Sequence, residues 1–265
     1  MTKASGRTAS GPGVVPDGTV TVSIADGIGT VEFAHPKGNS LPAQLLDLLA
    51  REITAVGENP DARVIVLRSA GTGAFCAGAS FDEFTALADA AAGKEFFLGF
   101  SRVIMAMVRA PKFVLTRVHG KAAGGAIGVI AASDYSIGVR DASVKLSELQ
   151  VGIGPFVVGV AIERKLGLAP FQALGVHADW HDAAWCERHG LYSMVCDDVA
   201  ALDAAVAAHA KRLAASNPEA MREMKRIYWE GSERWEAAMD ARAAMSGRMV
   251  LSDFTRQALE KFRAR

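Results

Sequence analysis

Residues 113–128, FVLTRVHGKAAGGAIG, constrain this chain more than any other stretch. Phe113 to Val118 are apolar and partly β-branched, bounded by Pro111 and Gly120, and predict a short buried strand. HGKAAGG is too rich in glycine and alanine to continue the strand. AIGVIAAS then has helical composition, which puts Gly124 and Gly125 where a helix begins. A strand feeding a glycine turn and a helix N-terminus presents free backbone N–H groups and the positive end of the helix dipole. Such a junction suits a negative oxygen, and glycine, lacking Cβ, lets the backbone come close to it. Glycines at 120, 124, 125 and 128 do not make G-x-G-x-x-G, and no G-x-x-x-x-G-K-[ST] is present. Close helix–strand packing without a ligand also explains a glycine cluster, and only a second anion-binding turn favours the functional reading.

Residues 76–81, Cys-Ala-Gly-Ala-Ser-Phe, supply that second turn, ahead of the acidic pair Asp82-Glu83. Two such turns are able to aim two N–H groups at one oxygen, as an oxyanion hole does. Chemistry then needs a group that moves a proton. Glu148 is the candidate, set among Val144, Leu146, Leu149, Val151 and Ile153. A carboxylate in such company is paired, on a solvent edge, or functional, and burial raises its pKa toward the range useful for acid–base work. Asp82 and Glu83 are either further acids or favourable charges in a helix's first turn.

The 265 residues suffice for one large domain, and half of them are hydrophobic. Zero net charge gives no reason to expect nucleic acid or an anionic membrane as partner. Cys76, Cys186 and Cys196 form an odd set with no C-x-x-C, which argues for a reducing, cytoplasmic setting and against a disulfide frame or a metal site. No apolar run approaches the ~20 residues that span a bilayer. MTKASGRTASGPG lacks an apolar core for a secretory signal, so residues 1–18 are expected to be a disordered arm.

Along the chain, VTVSIADGIGTVEF predicts a hairpin across Asp26-Gly27. LPAQLLDLLAREITAV predicts a helix with Asn39 or Ser40 as cap, and RVIVLRS (63–69) a buried strand. Helix is expected again over 95–109 and strand over YSIGV (135–139), and helical stretches rich in alanine dominate from 157 to 215. SNPEAM opens another helix, and Ser252 or Asp253 caps the last. Strands alternating with helices imply an α/β arrangement, largely parallel and covered by helices. No repeat is visible by eye. Trp229, Trp235, Met239, Met245 and Met249 give the tail more apolar surface than a lone outer helix needs, for its own core or for a neighbour's.

FCAGASFDEF resembles the A-F-x-A-G-A-D-L-x-E segment of the crotonase (enoyl-CoA hydratase/isomerase) superfamily. VHGKAAGGAIGVIAASDYSIGVRDASVKLSELQVGIGP is similar to its V-x-G-x-A-x-G-G-G-x-E-L-A-x-x-C-D and F-x-x-P-E-x-x-x-G-x-x-P segments in order and spacing. The resemblance runs from about residue 20 to 165 and continues weakly through HDAAWCERHGLYSMV, NPEAM and LSDFTRQALEKF. It implies a spiral core of repeated ββα units over 19–200 and a C-terminal helical trimerisation region over 201–265, often with trimers paired into hexamers. It also implies an acyl-CoA thioester as substrate, with no cofactor beyond the coenzyme A of that substrate. By position, the N–H groups of Ala79 and Gly125, beside Gly124, would hold the thioester oxygen as it becomes an enolate. Ala77, Ser80 and Phe81 fall where the family cradles adenine and pantetheine. Lys37 lies near the CoA phosphates, and Lys261 near a basic position of the tail.

Three positions depart from the family pattern. The first of the two hydratase glutamates falls at Gly128, leaving Glu148 alone. Ser80 replaces the usual aspartate, and Phe156-Val157-Val158-Gly159 is bulkier than the usual glycine-rich stretch, which implies a short or branched acyl group. A lone carboxylate suits an isomerase-like proton shuttle better than hydration. Two rivals differ in class. One is a catalytically impaired acyl-CoA-binding protein. The other is a serine hydrolase using Ser80 or Ser147 with His119, although no G-x-S-x-G elbow supports it.

Overall fold

The computed structural model describes residues 13–15 and 18–263. Three antiparallel strands open it: β1 (Gly13–Val15), β2 (Gly18–Ala25) and β3 (Ile28–Ala34). Asp26 and Gly27 join β2 to β3 with φ of 51° and 77°, the left-handed pair that a two-residue hairpin requires. There follow α1 (Ala43–Glu58), β4 (Val64–Ser69), α2 (Phe81–Thr85), α3 (Ala90–Arg109), β5 (Val114–Val118) and β6 (Ala122–Ala123). Next come α4 (Gly125–Ala131), β7 (Tyr135–Val139), β8 (Ser143–Lys145) and a 3₁₀ turn at Glu148–Val151. Then α5 (Gly159–Leu166), α6 (Leu168–His177), β9 (His181–Asp182), α7 (Ala183–Arg188) and β10 (Met194–Cys196) complete the mixed part. The remainder is helical: α8 (Val199–Ala214), α9 (Pro218–Tyr228), α10 (Trp235–Met249) and α11 (Asp253–Arg263).

One sheet runs β1-β2-β3-β4-β5-β7-β10 and is parallel from β3 onward. Every residue of β5 is buried, as expected of a parallel strand covered on both faces. A smaller sheet, β6-β8-β9, is prolonged by single bridges from Cys76 to Ala122 and from Leu41 to Ala79. Each turn of the chain therefore adds a strand to the large sheet, a short strand or bridge to the small one, and then a helix. β3, Leu41 and α1 make one unit; β5, β6 and α4 another; β7, β8 and α5 a third. This is the spiral of ββα units. The repeat escapes a reading of the sequence because its second strand is only one to three residues long, too short to show a period of two.

The helical tail folds over its own core. α8 covers β4, β5, β7 and β10, pinned by an ion pair from buried Arg117 to Asp203. α10 lies along α3 so closely that a Cβ on Gly247 would stand 2.4 Å from the Ala90 carbonyl oxygen. Trp229 and Met239 are buried within the chain, whereas Met245 and Met249 keep an exposed face. Ser252 caps α11 by accepting from Thr255 N at 3.2 Å.

Two expectations need correction. Within the anticipated arm, Gly13–Val15 form β1 and Gly18 opens β2, and the rest of that arm lies outside the described residues. Neither Asn39 nor Ser40 caps α1, whose N-cap is Pro42. Instead Asn39, at φ 56°, ties its loop to the next unit by donating to the Ala70 and Ala74 carbonyls, each at 2.9 Å. Among the described residues no helix is long and apolar enough to cross a membrane.

Candidate active site

The 76–81 turn, the start of α4, the 3₁₀ turn and the 153–158 segment enclose a cavity of about 660 Å³. Ala77, Ala79, Phe81, Gly124, Gly125, Glu148 and Phe156 all line it. Its backbone donors follow from the small sheet. Leu41 N donates to Gly78 O at 2.8 Å and Ser80 N to Leu41 O at 3.2 Å. These bonds flank Ala79, so its own N–H points to the opposite side. Gly124 N donates to Lys145 O at 2.9 Å, but Gly125 is the first residue of α4 and has no helical acceptor. Among the described residues neither Ala79 N nor Gly125 N donates to a protein group.

Glycine is required where the turns meet. Gly78 has φ 92°, and a Cβ there would stand 2.8 Å from the Ala123 carbonyl oxygen. Gly124 has φ 55°, and a Cβ there would stand 3.3 Å from Glu148 Oε1. The carboxylate thus rests against the second turn. Its other oxygen, Oε2, is buried with no hydrogen-bond partner among the described residues. Burial pushes the Glu148 carboxyl up to about 7. Gly152, left-handed at φ 82°, ends the Glu148–Val151 turn, and Thr255 Oγ1 of α11 donates to its carbonyl at 3.4 Å.

The other expected residues lie apart. Lys37 pairs with Asp82, and both side chains are largely exposed. Glu83 accepts from Ala43 N at 2.8 Å, closing the start of α1. Asp82 and Glu83 are absent from the cavity lining, where Glu148 is the one carboxylate among the described residues. Ser80 does not line the cavity either: its hydroxyl caps α2 by accepting from Glu83 N at 3.4 Å. Lys261 is exposed on α11. At position 128 a Cβ would stand 2.6 Å from Val158 Cβ, so Val158 fills the room a glutamate would need. Ser147 lines the cavity, but both ring nitrogens of buried His119 lack partners, so no serine–histidine pair exists. The serine-hydrolase reading is thus left without its base. Among the described residues no group of three or more His, Cys, Asp or Glu is placed to hold a metal.

Sequence reasoning missed four phenylalanines of the lining, Phe84, Phe96, Phe97 and Phe100. The signal for the last three was FFLGF in α3, which holds positions 96, 97 and 100.

The chain belongs to the enoyl-CoA hydratase/isomerase family, whose model matches residues 23–264. It is 36% identical over 132 residues to a hexahydro-indene-carboxyl-CoA hydrolase of Mycobacterium tuberculosis, covering 48% of this chain and 51% of that protein. It is 28% identical over 199 residues to the mitochondrial methylglutaconyl-CoA hydratase of Rattus norvegicus, covering 74% of this chain and 63% of that protein. The matches thus span from about half to just under two thirds of these relatives' lengths. Among solved structures, an enoyl-CoA hydratase from Bacillus halodurans superposes with a TM-score of 0.84 at 19% identity, covering 91% of this chain and 99% of that one. A putative enoyl-CoA hydratase from Mycobacterium avium paratuberculosis gives 0.82 at 23% identity, with 92% and 96% covered. These two likenesses establish the fold.

Proposed function

We propose that the cavity binds an acyl-CoA thioester and converts it through an enolate, with Glu148 as sole proton carrier. The observation that carries this reading is a carboxylate whose Oε2 is buried without a hydrogen-bond partner, beside two backbone N–H groups without protein acceptors. The thioester oxygen accepts from Ala79 N and Gly125 N. Glu148 removes a proton from carbon, the electron pair moves into the C–C–O framework, and the oxygen takes up the negative charge. The protonated Glu148 then returns the proton to another carbon of the same framework. No water is added, in keeping with Val158 standing where a second acid would be. Double-bond migration is therefore favoured over hydration. The acyl group is compact rather than a long straight chain, because Phe156, Val157 and Val158 wall the cavity. In this reading the protein works as a cytoplasmic homotrimer or pair of trimers.

The test is solvent exchange in D2O with a panel of enoyl-CoA thioesters, followed by mass spectrometry. Wild-type protein is expected to exchange a carbon-bound proton and shift the double bond with little 3-hydroxyacyl product. Glu148→Gln should exchange ~100- to 10,000-fold more slowly while still binding thioester. Absence of exchange with every thioester, or fast hydration by the wild type, would overturn the reading.

A further inference from the structure

Six phenylalanines line the one cavity that holds Glu148: Phe81, Phe84, Phe96, Phe97, Phe100 and Phe156. Four of them form a connected cluster. Phe84 stacks on Phe96 with centroids 6.0 Å apart and meets Phe97 edge-on at 6.2 Å. Phe96 and Phe97 are edge to face at 5.2 Å, and Phe81 lies 6.5 Å from Phe84. The cluster packs with Ile153 and with Val250, Leu251 and Leu259 of the tail. The four rings bring no charge to the cavity, whose charged lining residues are Lys145 and Glu148.

Wall chemistry restricts the occupant. Benzene-like quadrupoles reward a planar ring through offset or edge contacts with several of these phenylalanine walls at once, a gain that a saturated straight chain does not share.

We propose that the acyl group of the substrate carries a ring, aromatic or unsaturated alicyclic, seated among Phe81, Phe84, Phe96 and Phe97 with its carboxyl carbon as the thioester. This rests on the acyl-CoA reading above and specifies it.

The test uses thioesters that this enzyme cannot isomerise, so that binding is read alone: benzoyl-CoA, cyclohexanecarbonyl-CoA, butyryl-CoA and palmitoyl-CoA, titrated by calorimetry. Wild-type protein is expected to bind the two ring thioesters at least ~10-fold more tightly than either chain, the equivalent of one or two added aromatic contacts. Phe97→Leu, on the half-buried ring of the cluster, should cut that preference to roughly twofold. Phe81→Leu, likewise on a half-buried ring, serves if Phe97→Leu proves insoluble. Equal or tighter binding of butyryl-CoA or palmitoyl-CoA would overturn the ring assignment and leave the acyl-CoA reading standing, as would a preference unmoved by both variants. Failure of all four thioesters to bind would sink the acyl-CoA reading and the ring assignment together.

Discussion

The Glu148 carboxyl holds one oxygen against Gly124 and the other in a buried site without a protein partner. This arrangement opposes ionisation, and the raised value of about 7 against an ordinary 4.5 expresses that opposition. Two outcomes follow with definite signs. As a base, Glu148 works deprotonated, so kcat/KM should rise with pH to a plateau, with an apparent pKa near 7. For stability, the folded state binds this proton more tightly than the unfolded chain between 4.5 and 7, so stability falls as pH rises through that window. Glu148→Gln is therefore expected to be the more stable protein at about pH 8, by up to roughly 3 kcal/mol. Denaturant unfolding should show that advantage shrinking to nearly nothing at about pH 4. A variant less stable than the wild type at the higher pH would show that the carboxylate has a partner in solution. The sequence signalled Glu148 through its apolar neighbours and through its place in the family pattern. It did not show that Ser80 and Glu83 cap helices, because a cap partner depends on which loop passes a helix start, and that is set by the spiral.

At the scale of elements, the two turns were legible because glycine and alanine cluster where strand gives way to helix. Yet glycine at 125 answers to two demands at once: it leaves its N–H accessible, and it admits Phe100, whose ring would stand 2.5 Å from an added Cβ. Only the first demand shows in the sequence, since α3 and α4 meet through the fold. The same holds for Gly128. A glutamate added there collides with Val158 and places an unpaired charge in the core, so Gly128→Glu alone should destabilise by several kcal/mol or fail to fold. Gly128→Glu with Val158→Gly opens the space. That double variant is expected to be soluble and to yield more 3-hydroxyacyl product relative to double-bond migration than wild type, as read by chromatography of products. A single variant as stable as wild type would contradict the packing argument. An unchanged product ratio in the soluble double variant would contradict the role given to a second acid.

Over the whole molecule, the question left open by the tail's aromatic and methionine residues turns on one polar anchor. Lys225 of α9 is buried, and its three protons go to Met107 O at 2.7 Å, Lys112 O at 2.7 Å and Asp134 Oδ2 at 2.9 Å. Asp134 in turn accepts from Val114 N and from Trp229 Nε1, each at 2.7 Å. One lysine thus ties the end of α3, the start of β5, the strand entering β7 and the tail helix into a single unit. Nothing in SNPEAMREMKRIYW marks Lys225 as different from Lys211 or Arg226, because all are helix cations and only the fold brings Asp134 beneath one of them. Removing one partner of a buried pair leaves the other charge uncompensated, which typically costs about 3–5 kcal/mol. Lys225→Met keeps the apolar stem and deletes the charge, so it should lower Tm by roughly 6–20 °C at 2–4 °C per kcal/mol. Arg226→Met is the control on the same helix: its partners Glu223 and Glu230 are exposed, and no resolvable change in Tm is expected. If Lys225→Met melts with the wild type, α9 is not held to the core by this anchor, and the tail's apolar face must find its partner elsewhere.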